Sequence, residues 1–119
     1  MLFRSRLLAG RQDVDADSRD NNGQTPLSRA AENGHEAVVR LFVGRQDVDA
    51  DSKARNGQTP LSRAARYGHE AVVRLLVGCQ DVDTDSKDSN GKTPLAWATH
   101  RGREKVVQLL MDHIQHRDQ

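Results

Sequence analysis

Three near-copies of one 34-residue unit occupy most of this 119-residue chain. The ten residues 22–31 recur unchanged at 56–65, and 90–99 is a third copy that differs at four of the ten positions. A unit this short cannot enclose a core, so its apolar side chains must be buried against neighbouring units. The repeat therefore predicts a stack of units. These units align as 11–44, 45–78 and 79–112, and the first two share 28 of 34 residues.

The composition agrees with such a stack and excludes several classes of protein. Hydrophobic residues make up 35% of the chain and only four are Phe, Trp or Tyr, which is little for one large core but enough for thin repeated layers. The net charge of +1 argues against a general binder of nucleic acid or membrane surfaces. With Cys79 as the single cysteine, an internal disulfide and a cysteine-cluster zinc site are both excluded. No apolar run reaches membrane-spanning length.

The alignment predicts a single array over residues 1–119. Residues 1–10 are interpreted as the second half of a truncated unit, because 6–10 align with 40–44, and residues 113–119 as a polar C-terminal tail. The start of the chain lacks the long apolar stretch of a secretory signal. We therefore expect an intracellular location, cytoplasmic or nuclear.

Each unit contains signals for two short helices. Thr25 is a good N-cap and Pro26 suits the first helical turn, which predicts a helix from Pro26 to about residue 33. Gly34 can end it in the left-handed conformation. A second helix is expected from about residue 35 to 43, with its apolar residues on one side. The Asp-rich stretch 46–52 alternates with period two, which predicts extended chain leading into a turn at 53–57.

The motifs in these units resemble the ankyrin repeat. They are Gly-x-Thr-Pro-Leu, Ala-Ala-x-x-Gly-His and Val-Val-x-Leu-Leu, which stand here as 23–27, 30–35 and 38–42 (with Phe42 as the last residue) and recur in the later units. The Thr-Pro-Leu-Ser variant is similar to ankyrin arrays common in filamentous fungi. The resemblance implies an all-α solenoid of stacked helix-turn-helix units joined by extended hairpin loops. It also implies a non-enzymatic protein-interaction module without a cofactor.

The sequence departs from the ankyrin pattern in three ways. The period is 34 instead of the usual 33, and we place the inserted residue between Val43 and Ser52. The family's His after Thr-Pro-Leu, which normally helps to tie neighbouring loops and helices, is replaced in every unit. The third unit carries Arg103 where the others have His35 and His69. The replacements of the first histidine are Ser28, Ser62 and Ala96.

The acidic runs starting at Asp13, Asp47 and Asp81 resemble the opening of a calcium-binding loop. Such a loop also needs Gly at its sixth position and Glu at its twelfth, and all three runs have Ser at the sixth and no Glu at the twelfth. We therefore favour a solvated strand face with Asp side chains in turns over a calcium site.

Other single residues have simpler interpretations than catalysis. His35 and His69 would lie about 10 Å apart in stacked units, too far to share a metal ion. We expect them to bond to neighbouring loops. Cys79 lacks a pattern that marks a reactive thiol. For Trp97, packing between units is favoured, and a role as a binding anchor stays open.

Positions that differ between otherwise near-identical units are the candidate contacts with a partner. Five of the six differences between the first two units lie in the turn or at the end of the first helix. The resemblance implies that these places face partners, although unconstrained surface also varies. The second unit is the most basic, with six basic and four acidic residues. The predicted protein-binding residues are Arg55, Asn56, Gln58, Arg66, Tyr67, His100 and Arg101.

The leading hypothesis is therefore an interaction module or scaffold whose partner is a protein of acidic or mixed charge. An alternative is a spacer or fragment of a longer array in a multidomain signalling protein. Calcium binding is a third hypothesis with little support. We expect no nucleic-acid or membrane partner, and a monomer that could self-associate through the half-unit at residues 1–10.

Overall fold

Six α-helices form three helix-turn-helix pairs in the computed structural model, which describes residues 18–116. No strand occurs in that part of the chain, so the predicted all-α repeat solenoid is confirmed. The observed bounds lie within one residue of those expected for the first unit. The helices are α1 (Pro26–Glu32), α2 (Glu36–Val43), α3 (Pro60–Tyr67), α4 (Glu70–Val77), α5 (Pro94–His100) and α6 (Glu104–His116).

The first helix of every unit begins as the Thr-Pro pair predicts. The Thr25 hydroxyl accepts a hydrogen bond from the Ser28 backbone N–H at 3.2 Å. Thr59 makes the equivalent bond and belongs to a capping box, and Thr93 accepts from the Ala96 N–H at 3.1 Å. Each hydroxyl satisfies one backbone donor that the helix leaves free.

Stacking of like helices creates the core. Helices α1, α3 and α5 form one row, and α2, α4 and α6 form a second row behind it. Leu61 and Leu76 are fully buried between the rows, as are the small residues Ala64 and Ala65, which allow α3 to approach its neighbours closely. The core is thus a thin apolar layer repeated from unit to unit.

The stretch 46–52 differs from the extended chain that we expected. It consists of consecutive turns, because Asp49 accepts a hydrogen bond from the Asp51 N–H at 3.0 Å through its carboxylate and one from the Ser52 N–H through its carbonyl. The period-two pattern reflects alternating burial of side chains and not the geometry of a β-strand. In the third unit Val82, Thr84 and Ser86 are buried, while the intervening aspartates are exposed.

Main-chain hydrogen bonds join the turns of neighbouring units. The Arg55 N–H donates to the Asn22 carbonyl at 3.0 Å, and the Ser89 N–H donates to the Asn56 carbonyl at 2.9 Å. The turns therefore stack in register with the helices, although the family's usual histidine is absent.

The ends of the array lie partly outside the described residues. The half-unit predicted at 1–10 and the first acidic run at 13–17 fall there, as do residues 117–119. The expected polar tail begins as helix, since α6 continues to His116. Within 18–116 no helix is long and apolar enough to cross a membrane.

Candidate protein-binding surface

The exposed sides of α1, α3 and α5 and the adjoining turns at 20–23, 54–57 and 88–91 form one continuous surface, which we call the turn-and-helix face. Side chains link the helices to the turns across it. Arg29 of α1 donates to the Asp20 carboxylate at 2.6 Å, and the Trp97 indole of α5 donates to Asp88 at 2.7 Å. Most of the predicted binding residues lie on this face.

Cations and aromatic rings alternate near its centre. The Arg66 guanidinium carbon lies 5.4 Å from the Tyr67 ring centroid and 4.7 Å from the Trp97 centroid. Lys92 covers Trp97 at 4.5 Å, and Arg63 lies 5.8 Å from Tyr67. Attraction between a cation and a ring face restrains these long side chains. Tyr67 nevertheless keeps 38% of its surface exposed, so it is free to contact a partner.

Two predicted residues at the end of α5 border this cluster. His100 is exposed, and its ring meets Trp97 edge-on with centroids 6.2 Å apart. Arg101 caps the C-terminus of α5 and is also exposed. The structure thus places Arg66 and His100 against one indole ring, with Tyr67 beside Arg66.

The turn of the second unit carries the other predicted residues. Arg55 and Asn56 are exposed at its tip. The Asn56 side-chain oxygen accepts a hydrogen bond from the Gln58 N–H at 3.1 Å, so this residue also shapes the turn.

Gln58 does not belong to the exposed surface that we predicted. Its side chain is only 3% exposed because it reaches across the junction between units. Its carbonyl oxygen accepts from Arg63 at 3.0 Å, and its amide donates to Asp88. Gln58 therefore lies beneath the surface and holds Arg63 and Asp88 in place, so it is not a candidate contact with a partner.

Arg63 is a component of this surface that sequence reasoning missed. The guanidinium forms an ion pair with Glu32 of the preceding unit and is 9% exposed. Burial lowers its pKa, with the nearby cations Arg66 and Arg29 acting in the same direction. The sequence carried a signal for this. The aligned residues 20, 54 and 88 are Asp, Ala and Asp, whereas the aligned residues 29, 63 and 97 are Arg, Arg and Trp.

Trp97 lies between units, as the favoured interpretation predicts. It is 8% exposed, and its hydrogen bond to Asp88 helps to lower the pKa of that carboxyl. Burial alone would raise this pKa, but hydrogen bonds from Lys92, Trp97, Asn90 and Gln58 outweigh it. The buried indole ring therefore lies beneath the side chains of Arg66, Lys92 and His100, which pack against it.

The histidine at the start of α4 joins its unit to the preceding one. His69 donates from Nε2 to the carbonyl of Glu32 at 2.8 Å. Glu32 is the last residue of α1, so the bond reaches the preceding unit at a helix end and not at the loop that we expected. Burial lowers its pKa, and the charge of Arg103 adds to this effect. Arg103 takes over the same position in the third unit and donates to the Arg66 carbonyl at 3.1 Å.

Where the structure describes the acidic runs, they lie in turns, as expected, but not on a strand face. Asp51 accepts from the Asp83 N–H at 3.2 Å, and Asp83 accepts from the Asp85 N–H at 3.0 Å. Asp47 pairs with Arg45 at 2.6 Å. Residues 18–116 contain no group of three or more His, Cys, Asp or Glu arranged to hold a metal ion.

Cys79 is half-buried, and its thiol donates to the Leu75 carbonyl at 3.4 Å. Burial raises the pKa of this thiol, and the charge of Asp81 raises it further. Since the thiolate is the reactive form, this setting reduces its reactivity.

The comparison with known families agrees with this geometry along almost the whole chain. A family model described as ankyrin repeats in three copies matches residues 5–88 and 43–119. The chain belongs to the ankyrin-repeat family. Ankyrin repeats are in general protein-interaction modules. No curated protein matches the sequence of this ankyrin array.

Proposed function

We propose that this ankyrin array is a non-enzymatic module that binds a protein through the turn-and-helix face of its second and third units. The observation that carries the proposal is the exposed Tyr67 ring beside Arg66, which is itself held against Trp97. Tyr, Trp and Arg are the residue types that dominate binding energy at protein interfaces. The proposed contact residues are Arg55, Asn56, Arg66, Tyr67, His100 and Arg101.

Charge and rigidity both favour this part of the face. The second unit has a formal charge of +2, from six basic and four acidic residues, which suits an acidic or mixed partner surface. Arg66 contacts two rings before any partner arrives. Less side-chain freedom is then lost on binding, and the affinity for a given contact area rises. The proposed location is intracellular.

The double variant Arg66→Ala/Tyr67→Ala tests the proposal. A partner is first isolated from a native extract with the wild-type chain, and its affinity for each variant is then measured by calorimetry. We expect the double variant to bind at least about tenfold more weakly, since loss of one central contact is worth about 1–2 kcal/mol. The matched control is Arg74→Ala, an exposed arginine on α4 that pairs with Glu70. Equal affinities of the double variant and wild type would refute the site.

A second candidate function, a segment within a longer array, is favoured by the outer side of α2. Val38 is 40% exposed there, whereas Val72 and Val106 at the same position of later units are 1% exposed. Leu41 is 72% exposed on the same helix. Stacking of another unit on α2 would cover these residues.

Sedimentation of wild type and of Val38→Ser/Leu41→Ser tests this second candidate. An open stacking side should make the wild type associate at high concentration, and the variant should be monomeric with unchanged helicity. A wild type that stays monomeric throughout would count against it.

A further inference from the structure

An aspartate organises the turn of the first unit. One carboxylate oxygen of Asp20 accepts from the backbone N–H groups of Asn22 and Gln24 at 2.9 and 3.0 Å. The other accepts from Nε and Nη2 of Arg29 at 2.9 and 2.6 Å. The carboxylate thus joins the turn to the helix that follows.

The third unit repeats this arrangement with an additional donor. Asp88 accepts from the N–H groups of Asn90 and Lys92, both at 2.9 Å, and from the Trp97 indole at 2.7 Å. Gln58 of the preceding unit also donates to it. A carboxylate at this place therefore receives bonds from both sides of the junction between units.

The second unit has Ala54 at the equivalent position and so lacks the carboxylate. A notch of about 200 Å³ remains there, and it opens on the turn-and-helix face. Two polar atoms of its lining are buried and have no hydrogen-bond partner, namely Arg63 Nε and Gln24 Oε1. Their residues are 9% and 6% exposed. The lining consists of Asn22, Gln24, Ala54, Arg55, Asn56 and Arg63.

These unpartnered groups correspond to donors that hold the carboxylate in the other units. Arg63 Nε is the counterpart of Arg29 Nε, which donates to Asp20. Gln24 is the counterpart of Gln58, whose amide donates to Asp88. A half-turn of the Gln24 amide exchanges its oxygen and nitrogen and presents the same donor.

The charge around the notch also favours an anion. Arg63 already contacts Glu32, but that carboxylate lies 3.7 Å from Arg29 as well and is shared between the two arginines. Arg55 and Arg66 add two further positive charges to this part of the face, where the neighbouring acidic residues are Asp20, Glu32 and Asp88.

We propose that this notch binds one carboxylate side chain, an Asp or Glu of the protein partner, in the place where units one and three carry their own aspartate. The inference rests on the proposed function, since it assumes a protein partner, and it specifies one acidic residue of that partner. Arg63 Nε and the Gln24 amide are the principal donors to the incoming carboxylate.

Acetate and acetamide are suitable probes, because they reproduce the ends of an aspartate and an asparagine side chain. The NMR signal of the Arg63 Nε–H in the full chain is followed at pH 6 and constant ionic strength. We expect acetate to shift this signal saturably and to bind about tenfold more tightly than acetamide, because a charged acceptor makes the stronger hydrogen bond. No shift with acetate, or equal binding of the two probes, would overturn the proposal.

Two variants separate occupation of the notch from a general charge effect. Ala54→Asp should place a carboxylate in the notch and abolish acetate binding. Lys53→Gln removes one positive charge from the neighbouring exposed residue, leaves the notch open and should retain acetate binding. Circular dichroism verifies that both variants are folded. If Ala54→Asp still bound acetate at Arg63, or if Lys53→Gln abolished binding, the site would be wrong.

Failure of this inference can be distinguished from failure of the proposed function. A partner whose affinity falls with Arg66→Ala/Tyr67→Ala but not with Ala54→Asp would support the interaction module and refute the carboxylate site. If instead Ala54→Asp abolished acetate binding while the double variant bound the partner as tightly as wild type, the carboxylate site would be supported and the proposed interaction surface would be refuted.

Discussion

Alanine substitutions at the glycines between paired helices should have clearly different effects on stability. Gly34, Gly68 and Gly102 hold the same position in successive units, with φ values of +73°, +76° and +69°. An alanine there adopts the left-handed conformation at a similar penalty of about 1 kcal/mol in each unit. Differences among the three variants must therefore come from what the added methyl group meets.

The surroundings of that methyl group predict the order of the effects. At Gly34 it would lie 2.6 Å from Nδ1 of the His69 ring, which must move and give up its bond to the Glu32 carbonyl. Loss of that bond adds about 1–2 kcal/mol, for a total of about 2–3 kcal/mol. At Gly68 the methyl group would lie 2.9 Å from Cδ of the flexible Arg103 side chain, which can shift at a smaller penalty. At Gly102 nothing lies within 4 Å.

Urea unfolding followed by circular dichroism measures the three free energies of unfolding. The expected loss is largest for Gly34→Ala, intermediate for Gly68→Ala and about 1 kcal/mol for Gly102→Ala. In a His69→Ala background, Gly34→Ala should lower the free energy of unfolding only as much as Gly102→Ala does. Equal losses for all three variants, or an unchanged effect of Gly34→Ala without His69, would refute the steric argument.

Three further predictions concern single side chains. Ala54→Asp should raise the free energy of unfolding by about 1 kcal/mol in urea titrations, because the new carboxylate can accept the bonds that Asp20 accepts in the first unit. Trp97→Phe should lower it by about 1–2 kcal/mol, since it removes the hydrogen bond to Asp88 while keeping a ring, and Trp97→Phe in an Asp88→Ala background should have a smaller effect. The pKa of His69 is lowered in the folded state, so its contribution to stability is present above about pH 6.5 and is lost as the pH falls from there through the folded pKa. The loss of stability between pH 7 and 5 should therefore be smaller for His69→Gln than for wild type in thermal unfolding; identical pH profiles would contradict this.

The helices were predictable because local signals fix them. Thr25, Pro26 and Gly34 provide a cap, a first turn and a left-handed stop within ten residues, and the structure uses all three. Periodicity alone misled us at 46–52. Alternating burial and strand geometry give the same period of two, and the carboxylate of Asp49 favours a turn by accepting the Asp51 N–H.

The candidate site was harder to predict because its members meet across unit boundaries. Gln58 differs little in sequence context from exposed Asn56, yet its side chain crosses to Asp88 and is buried. Arg63 is identical to Arg29 in the unit alignment, but Ala54 deprives it of a partner and it contacts Glu32 of the preceding unit. Such contacts follow from the stacking of units, which no single unit specifies.

The main-chain bonds between neighbouring turns affect how the sequence of such an array can change during evolution. Arg55 donates to Asn22, and Ser89 to Asn56, through main-chain atoms alone. These two bonds therefore do not themselves require particular side chains at the tips of the turns. A substitution at the tip alters what a partner contacts and leaves the distance between successive contact positions the same. The units can thus diverge in the chemistry they offer while a partner with matching spacing continues to fit.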